Sequence, residues 1–290
     1  MVVTQPFLAV DWGTTNRRVY RIEGGAVVHR DHDDRGVASV EDFAGEAAAI
    51  RARFGDLPML LAGMVGANIG WRMAPYVPAP AGIAELAAKL VRIDDRTAIV
   101  PGVSTLAGGR PDVMRGEEVQ LLGAVAAERA PGDALLVQPG THCKWAQMQG
   151  GRIAGFTTAM TGELFALLRT HGLLAAQLQG DVTANAAFRE GIEDARRRDL
   201  AASLFGIRAA KMLGTRDDID AAAYASGLLI GSDVAARIDQ APDADMFILS
   251  GPGLGNLYIA AIEAHGRTAS LIDSQTAFVA GILAIGNAIA

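Results

Sequence analysis

Apolar residues fall into short unbroken runs near both ends of the chain and into patterns spaced by three and four between them. Phe7-Leu8-Ala9-Val10 reads as a buried strand ending on Asp11, Val19 to Ile22 and Ala26 to His29 as two further strands, and Glu23-Gly24-Gly25 as the turn joining that pair. Glu41 to Phe54 has helical spacing, and Met59 to Ala62 is a short strand leading into Gly63. The stretch "GMVGANIGWRMAPYVPAPAG", Gly63 to Gly82, then breaks every period and predicts a long structured loop, which is more often functional than accidental. Leu86 to Leu90 predicts a short helix, Ala98 to Val100 a strand, and Arg115 to Arg129 a helix with Glu117 and Glu118 in its first turn. Beyond Pro131-Gly132-Asp133 come a strand from Ala134 to Val137, a hairpin about Gln149-Gly150-Gly151 and a return through Arg152 to Phe156. Gly162 to Ile238 is mostly helical, Met246 to Leu249 a strand, and helices follow from about Leu257 to His265 and from Thr276 to Ala288.

Composition narrows what such a chain does. With 290 residues, half of them hydrophobic, it can bury two ordinary lobes, expected at 1–129 and 130–290. A net charge of −6 opposes a nucleic-acid surface, and Arg196-Arg197-Arg198 follows Glu190, Glu193 and Asp194 as a solvated helix face. Cys143 is the single cysteine, which excludes an internal disulfide and fits a reducing cytoplasm. No secretory signal is visible, and the apolar tail from Ala277 falls short of the roughly 20 residues a membrane span needs, so it reads as a buried helix.

Strand, glycine turn and threonine occur together twice, at Asp11 to Thr15 and at Leu136 to Thr141. Glycine lets backbone N–H groups approach a ligand, and with threonine hydroxyls they form a cradle for phosphate oxygens, here Gly13, Thr14 and Thr15, and again Gly140 and Thr141. Asp11 would repel phosphate unless a cation lay between, and Mg²⁺ takes one carboxylate plus phosphates. A third glycine-rich turn, Ser250 to Asn256, leaves too little chain after it for a dinucleotide-binding domain. His142 and Cys143 are adjacent but point to opposite faces, and His29, His32, His171 and His265 lack metal spacing, so neither nucleophilic chemistry nor a zinc site is expected.

This order of motifs resembles the actin, heat-shock chaperone and sugar-kinase superfamily. Within it, "DWGTTNRR", the 63–82 loop, "VMRGEEVQLLGA", "PGTHCKWA", "TTAMTGELFALLR" and "SGPGLGNLY" look like the 2-dehydro-3-deoxygalactonokinase family, with the likeness running through essentially the whole chain. The resemblance implies an α/β fold of two ribonuclease-H-like lobes with a nucleotide cleft, the actin-like ATPase fold. It implies transfer of a phosphoryl group from MgATP to the 6-hydroxyl of 2-dehydro-3-deoxy-D-galactonate, with one carboxylate accepting the hydroxyl proton. By the match at Gly116-Glu117-Glu118 the base is Glu117, with Glu118 and Asp11 as rivals and Asp11 also the metal ligand. The nucleotide set is Gly13, Thr14, Thr15, Arg17, Gly140, Thr141, Lys144, Gly251, Gly253, Gly255 and Asn256. The sugar-acid set is Asn16, Arg18, Gly63, Asn68, Trp71, Tyr76, Arg115 and Thr158, while Trp71 and Tyr76 equally suit packing within the loop, and Thr161 and Glu163 suit a helix entry as well as a site wall. Arg72 lies in the same loop outside these sets. Gly123-Ala124 and Ala280-Gly281 would let the helix after Glu117 meet the last helix as a hinge between lobes.

ATP, Mg²⁺ and a small sugar acid are therefore the expected ligands, without nucleic acid or membrane and with a homodimer left open. Two alternatives stand beside this reading: a kinase for another sugar or sugar acid such as the gluconate epimer, and a nucleotide-dependent switch without a small acceptor.

Overall fold

In the computed structural model, residues 5–106, 109–238 and 244–289 are described. The chain opens with β1 (Phe7–Trp12), β2 (Arg17–Glu23), β3 (Ala26–Asp33), α1 (Phe43–Phe54), β4 (Met59–Gly63), β5 (Val77–Pro78), α2 (Ile83–Ala88), β6 (Val91–Asp94), β7 (Thr97–Ile99), β8 (Val103–Thr105), β9 (Asp112–Met114) and α3 (Glu117–Ala126). It continues with β10 (Ala134–Gln138), β11 (Cys143–Gln149), β12 (Arg152–Ala159), α4 (Thr161–Thr170), α5 (Ala186–Ala195), α6 (Leu200–Met212), α7 (Asp218–Ala235), β13 (Met246–Leu249), α8 (Pro252–Ala264), β14 (Ala269–Ile272) and α9 (Ser274–Ile289).

Two compact units result. The first takes in the chain to Asp133, residues Ala146–Phe156 and the stretch from Ser274. Its main sheet has the order β3-β2-β1-β4-β7-β6, with β1 antiparallel to β2 and parallel to β4. Strand alternation sorts the side chains of β1: Leu8, Val10 and Trp12 join Ile50 and Phe54 of α1 in one core, while the other face carries Ala9 and Asp11. On that second face Tyr20 of β2 meets Phe278 of α9, ring centroids 5.6 Å apart. Asp42 caps α1 by accepting the Gly45 N–H at 2.9 Å.

The second unit comprises Ala134–Trp145 and Thr157–Asp273. Its sheet has the order β12-β11-β10-β13-β14 and is backed by alanine-rich helices, above all α7, whose residues from Ala221 to Gly231 are buried without a break. A helix apolar all round belongs inside a core.

The sequence pattern located most of these elements. The small sheet β5-β8-β9 was not foreseen, because strands of two or three residues are too short to show a period. The glycine-rich turn is shorter than expected: α8 begins at Pro252, where proline's fixed φ suits the first helical position, so Gly253, Gly255 and Asn256 sit in its first turns. The units also differ from the simple division after residue 129, because α9 joins the first unit and so does the β11–β12 tip. The tip is held there by the Ala81–Ile153 bridge and by Arg152, which donates to Pro80 O and Glu85, both at 2.8 Å.

Gly123 and Gly281 explain the position of α9. A Cβ on Gly123 would collide with the Ala277 carbonyl, and one on Gly281 with the Val119 carbonyl, so each helix seats its backbone on the other. Both helices belong to the first unit, so their pairing packs one unit and the hinge role rests on no contact described here. Gly281→Ala should therefore cost about 1–3 kcal/mol through overpacking. Gly206→Ala, in the open middle of α6 with nothing near its Cβ, should stabilise by up to about 1 kcal/mol through helix propensity. Urea midpoints of the two variants, moving in opposite directions, check this.

Candidate active site

In the first unit the chain reverses between β1 and β2 over Gly13 to Asn16, with the Gly13 N–H donating to Asn16 O at 2.9 Å. Thr14, Thr15 and Asn16 are exposed, and the turn is braced from behind by Val37 N–H to Gly13 O at 2.9 Å and Ala38 N–H to Thr14 O at 3.0 Å. Gly36 makes this bracing possible, since a Cβ there would strike the backbone of Thr14 and Thr15. Sequence reasoning missed Gly36, and its only signal was an isolated glycine after a charged stretch.

The two arginines that follow go to opposite faces. Arg17, expected on the nucleotide, is buried instead against α1: it pairs with Asp33 at 2.7 Å and Glu46 at 2.8 Å and lies 5.0 Å above the Trp12 ring. Its side chain shares a face with Trp12 and Val19, and its donors are spent on those carboxylates. Arg18 shares the face of Asp11 and reaches its carboxylate at 3.4 Å. Cross-strand pairing continues that row to His32 and sets Arg30 opposite Tyr20, so Arg18, Arg30, His32 and Gln275 help line an open groove of about 560 Å³. Arg30 and His32 were not foreseen, although their alternation in β3 with the right parity was visible.

Asp11 meets the start of α3 through a stack of backbones. Gly63 has φ +94° and lies under Trp12, whose carbonyl would be 2.7 Å from an added Cβ; Gly116 has φ +106°, and its added Cβ would be 3.1 Å from the Gly63 Cα. Gly63 is therefore a buried spacer between Trp12 and Gly116. Immediately beyond Gly116 the two glutamates curl back over the helix entry: the Arg115 N–H donates to Glu117 at 3.0 Å, and the Gly116 N–H to Glu118 at 2.7 Å.

Their environments differ. Glu118 is fully buried, its Oε1 has no partner among the described residues, and burial, then the neighbouring Glu117 charge, pushes its carboxyl up to about 8. Glu117 is half-buried at the mouth of the helix. Burial also pushes the Asp11 carboxyl up; the Arg18 guanidinium opposes this, and the Glu117 charge adds to it. Asp11 and Glu117 thus lie close enough to sense one another.

The 63–82 loop is packed by its own aromatics. Trp71 stacks with Phe43 at 6.4 Å, and Tyr76 lies 4.3 Å under the Arg115 guanidinium, which donates to Ala74 O at 2.7 Å. Nε and Nη1 of Arg115 are buried and meet no acceptor among the described residues. Arg72 donates to Arg92 O at 2.8 Å, and Asn68 is exposed.

In the second unit Gly140, Thr141 and His142 form the loop between β10 and β11. The start of α4 grips this loop: Gly162 has no room for a Cβ beside the Gly140 carbonyl, the Glu163 N–H donates to Thr141 O at 2.9 Å, and Glu163 pairs with His142 at 2.6 Å. Lys144 and Thr158, expected on nucleotide and sugar acid respectively, are bonded to one another at 2.9 Å, with Lys144 buried. Cys143 is buried and its thiol is pushed well up by burial, which suits an inert side chain. At the start of α8, Gly251 and Gly253 face open space, Gly255 packs against Leu271, and Asn256 is exposed.

Two mixed sheets with helices, a threonine-bearing glycine turn in each unit and a carboxylate at the end of β1 are features of the actin-like ATPase fold. The fold extends to distant proteins: the Acidaminococcus fermentans (R)-2-hydroxyglutaryl-CoA dehydratase component A is 12% identical, with TM-score 0.52 over 98% of this chain and 99% of its own. Residues 11–285 match the family described as 2-keto-3-deoxy-galactonokinase, and the chain belongs to that family. It is 36% identical to the 2-dehydro-3-deoxygalactonokinase of Escherichia coli (strain K12), over 99% of this chain and 100% of that one. A crystal structure of a candidate 2-dehydro-3-deoxygalactonokinase from Sinorhizobium meliloti superposes with TM-score 0.90 at 33% identity, covering 98% and 99% of the two chains.

The Glu118 environment makes stability depend on pH. Its folded value lies near 8 against an ordinary 4.5, so its contribution is complete below about 4.5 and is lost as pH rises through about 8. Glu118→Gln keeps an acceptor for the Gly116 N–H and carries no charge. Thermal melts from pH 5 to 9 should show the wild type losing stability across this window and the variant losing less.

Proposed function

We propose that this chain phosphorylates 2-dehydro-3-deoxy-D-galactonate at its 6-hydroxyl at the expense of ATP, with Glu117 as the general base. Supporting the reading is membership of the family together with one observation: of the two glutamates at the entry to α3, only Glu117 is accessible, whereas Glu118 is fully buried. A base must reach the hydroxyl and give up its own proton readily, and burial opposes both for Glu118.

The reaction then proceeds at the end of β1. Glu117 takes the proton from the 6-hydroxyl, the oxygen bonds to the γ-phosphorus, the bond to the β–γ bridging oxygen breaks, and ADP leaves. In the first unit Thr14, Thr15 and Asn16, exposed on a braced turn, offer hydroxyl, amide and backbone donors suited to phosphate oxygens; in the second unit, taken by itself, Thr141 on a loop gripped by α4 offers donors of the same kind. In the second unit Gly251 and Gly253 have open space beside them and Asn256 is exposed, so the start of α8 is accessible to a nucleotide.

Among the described residues no group of three His, Cys, Asp or Glu side chains is arranged to hold a metal by itself. Asp11 suits Mg²⁺ in another way, because that ion is commonly held by one or two carboxylates with phosphates and water completing its shell. When bound, it would neutralise charge developing on the phosphate oxygens. For the carboxylate of the sugar acid, Arg18 brings a cation beside the groove. The cytoplasm is the fitting compartment for a chain with one buried thiol, and no helix among the described residues is long and apolar enough to cross a membrane.

ADP release by the purified protein with Mg²⁺ and ATP, with and without the galactonate-derived acid, its gluconate epimer and neutral sugars, tests this. Turnover should depend on the galactonate-derived acid; equal turnover of the epimer would broaden the acceptor, and no response to any acid or sugar would overturn the kinase reading. Glu117→Gln should lower kcat by on the order of 10²–10⁴-fold, the usual worth of a general base. Glu118→Gln should retain most activity.

A further inference from the structure

Nothing in the sequence marks Asp233, in the last turns of the buried helix α7, as more than one acid among many. It is nevertheless buried, and its carboxylate accepts from four side chains: Trp145 Nε1 at 3.1 Å, Thr161 Oγ1 at 2.9 Å, Tyr258 OH at 3.0 Å and Arg237 at 2.8 Å. A buried carboxylate is tolerated where its lone pairs are satisfied and a cation is paired with it, and Arg237 supplies that cation from the next turn.

The other three partners are what set Asp233 apart. Trp145 lies on β11, directly after the 140–142 loop. Thr161 opens α4, whose next two residues press on Gly140 and bond Thr141 and His142. Tyr258 lies on α8, two residues beyond Asn256 and on the helix that begins with the glycine-rich turn. One side chain therefore fixes both elements of the second unit that carry candidate nucleotide contacts. Arg237 alone would satisfy the charge, so the convergence of three hydroxyl and indole donors from separate elements requires a further reason.

We propose that Asp233 is a positioning residue for nucleotide binding, holding the 140–142 loop and the first turn of α8 in one fixed geometry. The proposal rests on the reading of this protein as an ATP-dependent kinase. All the groups Asp233 touches belong to the second unit.

Removing the carboxylate risks the fold, so the test uses its arms. Thr161→Val and Tyr258→Phe each delete a single hydroxyl with little change of volume, and Asp233→Asn is the third variant. Calorimetric titration with ATP and Mg²⁺, without acceptor, gives nucleotide affinity directly, and steady-state kinetics with the galactonate-derived acid give KM for each substrate. Each single-arm variant should weaken ATP binding and raise KM for ATP by about fivefold, the equivalent of one ordinary hydrogen bond, with KM for the acid unchanged. The two effects should be smaller when measured in the Asp233→Asn background, where the shared acceptor is already altered. Unchanged ATP affinity in both single-arm variants alongside a lowered Tm would make Asp233 a brace for the fold and overturn the proposal, as would an equal rise in both KM values. Wild-type protein that binds ATP but turns over no acid would defeat the kinase reading and leave the titration to decide on Asp233.

Discussion

The chemistry of the first unit depends on backbone lying against backbone at the Trp12 carbonyl, Gly63 and Gly116. Any side chain at either glycine would strain a positive φ and push the entry of α3 away from the end of β1. Without that approach Asp11 would lose its carboxylate neighbour Glu117. The closeness has an electrostatic cost, because three carboxyl groups gather near one helix entry. Two features offset it: Glu118 is buried and keeps its proton, and the N–H groups at the start of α3 favour the negative charge that remains. Arg18 supplies a compensating cation on the same face as Asp11.

A similar economy of side chains recurs in the helices. Gly123 and Gly281 seat α3 and α9 on one another in the first unit, and Gly191 and Gly227 do the same for α5 and α7 in the second, each added Cβ meeting the opposite carbonyl. Close backbone packing of this kind leaves little freedom to slide, which suits helices that carry functional groups at their ends. α3 presents Glu117 at its start, and α7 presents Asp233 near its finish. Where glycine cannot locate an element, a polar group does so, as with the donors that converge on Asp233.

How much of this was legible in the sequence depends on whether a feature is local. Strand runs, the glycine turns and the helix after Gly116 are local patterns, and they lie where the periodicity put them, within a few residues. The direction of a side chain is also local where a strand is certain. Arg17 follows Asp11 by an even step, but the intervening turn resets the parity, and it is Arg18 that stands opposite Asp11. Reading Arg17 as a nucleotide contact came from its motif, while the register sends it to Asp33 and Glu46. Contacts that join distant segments left no such trace. Gly36 against Thr14 and Asp233 against three elements are products of tertiary packing between residues that alone look ordinary, and the bond between Lys144 and Thr158, each marked by its motif, is equally without a trace in the sequence.

The pair Glu117-Glu118 shows how small the difference between a structural and a chemical role can be. Successive residues on a helix are turned by about 100°, so two identical side chains in sequence need not share an environment. Glu118 falls on the side that continues through Leu121, Leu122 and Val125, of which the two leucines are buried, while Glu117 falls on the side toward Asp11. One residue of rotation therefore separates a carboxyl that remains protonated to about pH 8 from one placed to accept a proton. The phase of α3 is constrained by the positive φ of Gly116 together with the seating of Gly123 on α9. Substituting either glycine would disturb the seating of α3, and with it the separate environments of its two acids.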